Sequence, residues 1–284
     1  MGTGGLLALG GPAFDDASSF SRIAPVRPVP QPDTTASAAA VSSLRSSCGS
    51  LQSARFEPLK GTAREVREVA AQWSGSPAEI LEGRAASERA FKREAPGHRV
   101  IHLATHGFFL DDACSPRPGT RSVGGLSAST PRKVKSPLSD NPLLLSGLAM
   151  AGANRRGIAG PEDEDGILTA EEVAGLNLSG VEWAVLSACD TGLGEIRAGE
   201  GVFGLRRAFQ VAGVRTVIMS LWSVDDDATR LLMRALYRGR LQRSLPTAEA
   251  LQAASLTVLR DRRARGQSTH PFYWGAFVAA GDWR

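Results

Sequence analysis

Val100-Ile-His-Leu-Ala-Thr-His-Gly107 and Val185-Leu-Ser-Ala-Cys-Asp-Thr-Gly192 are two apolar runs, each ending in a reactive side chain followed by small, turn-forming residues. Short apolar runs bounded by turn signals read as buried strands. The first delivers His106 and the second delivers Cys189, 83 positions further on. A nucleophilic cysteine and its histidine base are neighbours in the fold, not in sequence. Taken singly, a cysteine in such a run is more often an inert core thiol, and a histidine beside a glycine is more often structural. Two of them at two strand exits point to chemistry. His102 lies on the same strand face as His106 by the period of two, and it stands as the rival base. His98 and His270 read as surface or loop residues.

Outward from these runs, apolar strands alternate with amphipathic helices. Residues 5–9 read as a first strand, closed by Gly10-Gly11-Pro12. Thr62 is the expected N-cap of a helix over 64–73, with Val66, Val69, Ala70 and Trp73 at helical spacing. Ile80-Leu81 reads as a strand, and Ser87 opens a helix that Pro96-Gly97 stops. Residues 167–173 read as a short helix capped at Thr169. A helix over 200–211, a strand over 214–221 and a helix over 225–238 follow, the last with an acidic start that suits the helix dipole. A helix over 246–263 and a strand-like run over 272–280 end the series. Two stretches rich in small and polar residues, 18–53 and 111–140, read as flexible insertions. The pattern predicts one α/β domain over 1–284, with a mostly parallel central sheet covered on both faces. Sites in such sheets gather at the carboxyl ends of strands, where His106 and Cys189 both fall.

Composition narrows the class. At 284 residues, 42% hydrophobic and 22% charged, the chain can bury a sizeable core. The net charge of +4 is not gathered into a stripe, so no nucleic-acid partner is expected. Cys48, Cys114 and Cys189 form neither a disulfide framework nor a zinc pattern, so no metal and no cofactor are expected. Met1 to Gly10 has no basic region and no long apolar core, and no run reaches about 18 apolar residues. These features predict a cytoplasmic protein with no membrane partner. Richness in Ala, Gly and Arg suggests a GC-rich bacterial genome.

A thiol with a pKa of about 8.5 is mostly protonated at neutral pH, so a histidine within reach would take its proton and later hand one to a leaving amine. Backbone N–H groups of Gly107 and of Cys189 are the natural oxyanion donors. Gly107 would allow close backbone approach and unusual dihedrals. Asp190 either orients a partner, lines a pocket or caps the following turn. Two look-alikes are set aside. Gly199-Glu-Gly-Val-Phe-Gly204 fits a dinucleotide fingerprint but does not directly follow a strand. Asp163, Asp165, Gly166 and Glu172 echo a calcium loop, with Pro161 where the first ligand belongs.

The ordered blocks Ile101-His-Leu-Ala-Thr-His-Gly-Phe-Phe109, Asp165-Gly-Ile-Leu-Thr-Ala-Glu-Glu-Val173, Leu186-Ser-Ala-Cys-Asp-Thr-Gly-Leu-Gly194, Gly199 to Phe209, Ser220-Leu-Trp-Ser-Val-Asp-Asp226 and Tyr273-Trp-Gly-Ala-Phe277 resemble the CHAT domain family. These are caspase-like proteins related to separases and often fused to tetratricopeptide repeats. The resemblance implies a caspase-like three-layer α/β/α sandwich and a Cys-His dyad, with His106 as base, Cys189 as nucleophile, and Gly107 and Cys189 as oxyanion donors. It makes His102 structural. Asp190 stands where many relatives have glutamate, and Ser223 replaces a frequent proline. No tetratricopeptide repeats are present, so the chain resembles the catalytic portion of a larger protein.

The expected activity is that of a cysteine endopeptidase acting on a protein or peptide substrate. Ser220, Trp222, Asp190, Asp225 and Asp226 are the candidate pocket residues, an acidic floor suiting a basic residue before the cut; the 225–227 cluster reads equally well as a helix cap. Arg117, Arg121, Arg132 and Lys133 offer sites for self-cleavage, and an activating protein partner is equally compatible with the residues. The alternative from another class is a catalytically silent pseudoprotease that serves as an interaction module.

Overall fold

A computed structural model describes residues 4–20, 54–109, 142–160, 163–190 and 200–282. Apart from 18–20, both expected insertions lie outside these residues, as do residues 191–199. The fold is mixed α/β, with a mostly parallel sheet of six strands. In chain order its strands are β1 (Leu6–Pro12), β2 (Ala78–Gly83), β3 (Val100–Ala104), β7 (Trp183–Leu186), β9 (Thr216–Ser220) and β10 (Phe277–Gly281). Spatially they run β10-β9-β7-β3-β1-β2. All neighbours are parallel except β10, which runs antiparallel to β9. The order reverses between β1 and β3, and crevices open at such switch points, beyond the carboxyl ends of the strands.

The inner strands are largely apolar because both of their faces are buried, whereas the edge strands β2 and β10 are partly exposed. Leu7 and Leu9 of β1, Ile101 and Leu103 of β3, and Ala184 and Leu186 of β7 share one apolar cluster. It includes Phe91 of α2 (Glu88–Glu94), Val173 of α3 (Ala170–Ala174) and Phe209 of α4 (Glu200–Val211). The alternate residues Leu6, Ala8, Val100, Trp183 and Val185 enter a second cluster. Its helical members include Val66 and Val69 of α1 (Thr62–Ala70), Leu232, Met233, Leu236 and Tyr237 of α5 (Asp226–Gln242), and Leu251 and Val258 of α6 (Thr247–Ala264). The division follows the period of two. Each fully buried Leu or Phe contributes about 1.5–3 kcal/mol.

A second sheet of four short strands was not anticipated. Its strands are β4 (His106–Phe109), β5 (Ser146–Ala149), β6 (Ile167–Thr169) and β8 (Cys189–Asp190), in the order β6-β5-β4-β8. The β4–β5 and β5–β6 pairs are antiparallel, whereas β4 and β8 are parallel. The chain leaves β3 through Thr105 alone and enters β4, and leaves β7 through Ser187 and Ala188 to enter β8. His106 and Cys189 therefore open strands of this second sheet, beyond the ends of the first.

Local capping follows the sequence at three starts and departs from it at one. Ser87 accepts from Ala90 N–H, Asp225 from Ala228 N–H, and Thr169 forms a reciprocal box with Glu172. Ile167 and Leu168 are strand residues, not the first helical turn. Thr62 lies inside α1, which Gly61 precedes with no side-chain cap. The Thr62 hydroxyl is engaged elsewhere: it accepts from Gly11 N–H at 3.0 Å and donates to the Leu59 carbonyl at 3.1 Å. Residues 272–280 divide into a 3-10 turn, Pro271–Tyr273, and β10.

Candidate active site

The pairing of β4 with β8 makes His106 the Cα partner of Cys189 and Gly107 that of Asp190. Paired strands lie about 4.8 Å apart, so the two residues are direct neighbours. For Cys189 and Asp190 the description is of the backbone. Gly107 is an ordinary strand residue, with Leu148 of β5 as its partner on the other side. Its φ is not among the left-handed ones, and a Cβ there would meet Ala188 Cβ at 3.4 Å, an ordinary contact. The expectation of unusual dihedrals at Gly107 is thereby corrected: the strand ladder holds it in extended geometry.

The His106 imidazole is half-buried in an aromatic box. Phe14 and Phe56 flank it at ring-centroid distances of 5.3 and 5.8 Å, and Phe108 stands behind Phe56. Its Nε2 lies 2.7 Å from the carbonyl oxygen of Glu57. A carbonyl only accepts, so Nε2 carries the proton. In the neutral ring Nδ1 is then the nitrogen with a free lone pair. Burial pushes the His106 pKa below its ordinary value. The Glu57 carbonyl, the Glu57 charge and then the Asp226 carboxylate oppose that shift without reversing it.

His102 occupies a different environment. It is fully buried, with Nε2 2.9 Å from Glu65 Oε1 and Nδ1 3.1 Å from the Tyr237 hydroxyl. Tyr237 also packs on Trp183 at 4.8 Å between ring centroids. Both ring nitrogens of His102 are thus engaged inside the sheet–helix layer, and the period of two that aligned it with His106 ends where the chain leaves β3.

The candidate pocket residues separate. Ser220 is buried at the end of β9 and donates to the carbonyl of Ala188, the residue before Cys189, at 3.1 Å. Trp222 stacks on Phe272 and donates to its carbonyl at 2.9 Å. Asp225 caps α5. Asp226 accepts the Gly61 N–H at the start of α1; partial burial, the neighbouring Asp225 and then Glu65 raise its pKa. Its charge is felt at His106. Arg117, Arg121, Arg132 and Lys133 lie outside the described residues.

The acidic residues of the calcium look-alike also find roles. Asp165 accepts from Ile167 N–H. Glu164 and Glu172 join Glu88 around Lys92, whose ammonium contacts the three carboxylates at 2.6, 3.1 and 2.7 Å respectively. Among the described residues no helix is long and apolar enough to cross a membrane.

Sequence reasoning singled out neither Glu57, Phe14 and Phe56 around His106, nor Glu65 and Tyr237 around His102. The contact to Glu57 is made by a backbone carbonyl, which any residue type carries. Phe14 and Phe56 are isolated aromatics at the two edges of an insertion, with no periodicity to mark them.

The chain is 32% identical over 122 residues to human tetratricopeptide repeat protein 28, a match covering 43% of the chain and 5% of that protein. It is 32% identical over 116 residues to the mouse protein of the same name, covering 41% of the chain and 4% of that protein. The matched segment is thus a small fraction of either relative. The CHAT domain profile matches residues 4–282. The chain therefore belongs to the CHAT domain family, a caspase-like family.

Proposed function

We propose that this protein is a cysteine endopeptidase, with Cys189 as nucleophile and His106 as base, on a caspase-like three-layer α/β/α sandwich. The observation that carries the reading is the register of β4 and β8, in which His106 and Cys189 are Cα partners. The His106 tautomer supports it: with Nε2–H bound to Glu57, Nδ1 is the atom able to take the thiol proton. The thiolate attacks the peptide carbonyl carbon, forming a C–S bond, and the developing oxyanion is held by the Gly107 and Cys189 N–H groups. The C–N bond breaks as the imidazolium protonates the leaving amine. A water that gives its proton to His106 then hydrolyses the thioester, releasing the acid and restoring the thiol.

Asp226 and Glu57 place negative charge near His106 and favour a substrate with a basic residue at the cut; Ser220, Trp222, Asp190 and Asp225 complete the proposed surroundings of the substrate. The setting is a bacterial cytosol, and activation comes from a protein partner or from self-cleavage in the 111–140 insertion. A second reading, a silent interaction module, is favoured by the relatives being named for tetratricopeptide repeats.

Labelling of Cys189 by an acylating peptide probe, with and without a cell lysate, separates the readings. Labelling of the wild type and its loss in both Cys189→Ala and His106→Ala support the peptidase. Full cleavage activity in folded Cys189→Ala would sink it, and no labelling under either condition leaves the interaction module. Equal intact masses of wild type and Cys189→Ala would remove self-cleavage.

A further inference from the structure

Residues 54–57 belong to no helix or strand, yet their backbone carries the group that sets the His106 tautomer. Two side chains from the 3-10 turn Ala153–Ile158 hold that backbone. Asn154 Oδ1 accepts the N–H of Phe56 at 2.8 Å, and Asn154 Nδ2 donates to the Phe56 carbonyl at 2.9 Å. One amide thus takes both backbone groups of one residue, as the opposite residue of an antiparallel strand pair does. Arg156 adds a bond to the Ala54 carbonyl at 2.8 Å.

The turn is itself anchored to the other side of the aromatic box. Asn154 N–H donates to the Phe14 carbonyl at 2.9 Å, and Gly152 N–H to that of Ala13 at 3.1 Å. Behind it, Gly166 (φ +81°) comes so close that a Cβ there would lie 2.6 Å from Ala153 N, a conformation and a distance that require glycine. Both rings that flank His106 are therefore fastened to Asn154, Phe14 through the asparagine's backbone and Phe56 through its side chain.

We infer that Asn154 is a positioning residue for His106: its amide clamps Phe56 so that the adjoining Glu57 carbonyl receives Nε2–H and Nδ1 is left unprotonated. The kinetic consequences of this inference rest on the peptidase reading, whereas the tautomer does not. The contact to Glu57 is 2.7 Å, and a shift of about 1 Å takes it out of hydrogen-bond range. Without the clamp, the tautomer with the proton on Nδ1 becomes populated, and that form cannot accept a proton there. The charged groups acting on His106 are Glu57, in the segment 54–57, and Asp226 from α5.

Long-range proton–nitrogen NMR of the four histidines tests the inference, with His106→Gln supplying the assignment. The wild type should show His106 protonated at Nε2, and Asn154→Ala should show a mixture of tautomers. In turnover, kcat should fall roughly tenfold with KM changed by less than about twofold, a fraction of the ~10²–10⁴ that positioned acid–base catalysis supplies. The acid limb of the pH profile should move to lower pH, because the Glu57 carbonyl supports the charged ring. Asn154→Asp keeps the acceptor for Phe56 N–H and loses the donor, so it should fall between the two. An unchanged tautomer and an unchanged acid limb in folded Asn154→Ala would overturn the inference, whatever happens to the melting temperature. If Asn154→Ala does not fold, Asn154→Asp serves for the same comparison. A wild type that neither turns over nor labels would count against the peptidase reading alone, and the tautomer comparison would still decide the role of Asn154.

Discussion

His106 and Cys189 are Cα partners in register across the parallel β4–β8 pair, while His106 donates its Nε2–H to the carbonyl of Glu57. One residue of a two-strand contact is thereby oriented from behind by a backbone group. A carbonyl, unlike a carboxylate, fixes the tautomer without adding a full charge. Burial, not this contact, is what favours the neutral ring.

That neutrality sets the pH dependence. Burial lowers the His106 pKa from its ordinary 6.5, so the acid limb of kcat/KM should lie below 6.5. Asp226→Asn should move the limb further down, because the Asp226 charge opposes the shift. The same lowering affects folding: the unfolded chain takes the His106 proton first, so stability should decline as pH falls through the ordinary histidine value. A pH–rate profile and urea unfolding at several pH values measure both; an acid limb above 6.5 would contradict the neutral-base assignment.

The buried pair of His102 and Glu65 makes a second prediction. Replacing His102 by Leu leaves the Glu65 carboxylate, 5% exposed, without its nitrogen partner at the centre of the sheet–helix layer. Removing one member of a buried pair costs about 3–5 kcal/mol. The double substitution His102→Leu with Glu65→Leu should recover much of that loss, since the unpaired carboxylate is gone and only the neutral Tyr237 hydroxyl loses its imidazole partner. A double variant no more stable than the single one, in denaturant titration, would show that the pair does not act as a unit.

Lys92 carries a third. Its ammonium contacts Glu88, Glu164 and Glu172, whose oxygens lie within 4.8 Å of one another. Burial, then Glu172 and Glu164, push the Glu88 carboxyl well above the ordinary carboxylate range. Lys92→Met should destabilise the fold by roughly 3 kcal/mol near neutral pH. A carboxyl with a raised folded pKa binds more protons folded than unfolded, so its stabilising contribution is lost as pH rises through that pKa. The penalty should therefore be smaller at pH 5 than at pH 8, as read by thermal melts; a penalty independent of pH would mean that the carboxylates do not share protons.

Much of the fold is legible in the sequence alone. The strands that deliver His106 and Cys189, and the caps at Ser87, Thr169 and Asp225, depend on nearest neighbours and on periodicity, which the amino-acid order displays directly. The CHAT blocks add the pairing of a histidine with a cysteine. Thr62 shows where that reading stops: its hydroxyl is a good local cap, but Gly11, 51 residues away, offers a competing donor.

What only the tertiary structure decided is the second sheet and the setting of His106. Strands of two to four residues are too short to show a period, and their pairing joins residues as distant as 106 and 189. The bonds of Glu57 and Phe56 use backbone atoms common to every residue, met by partners 49 and 98 positions away. Sequence determined which side chains could do chemistry, because chemistry belongs to residue type. The fold decided which nitrogen of His106 keeps a free lone pair, because orientation comes from long-range contacts that no local pattern encodes.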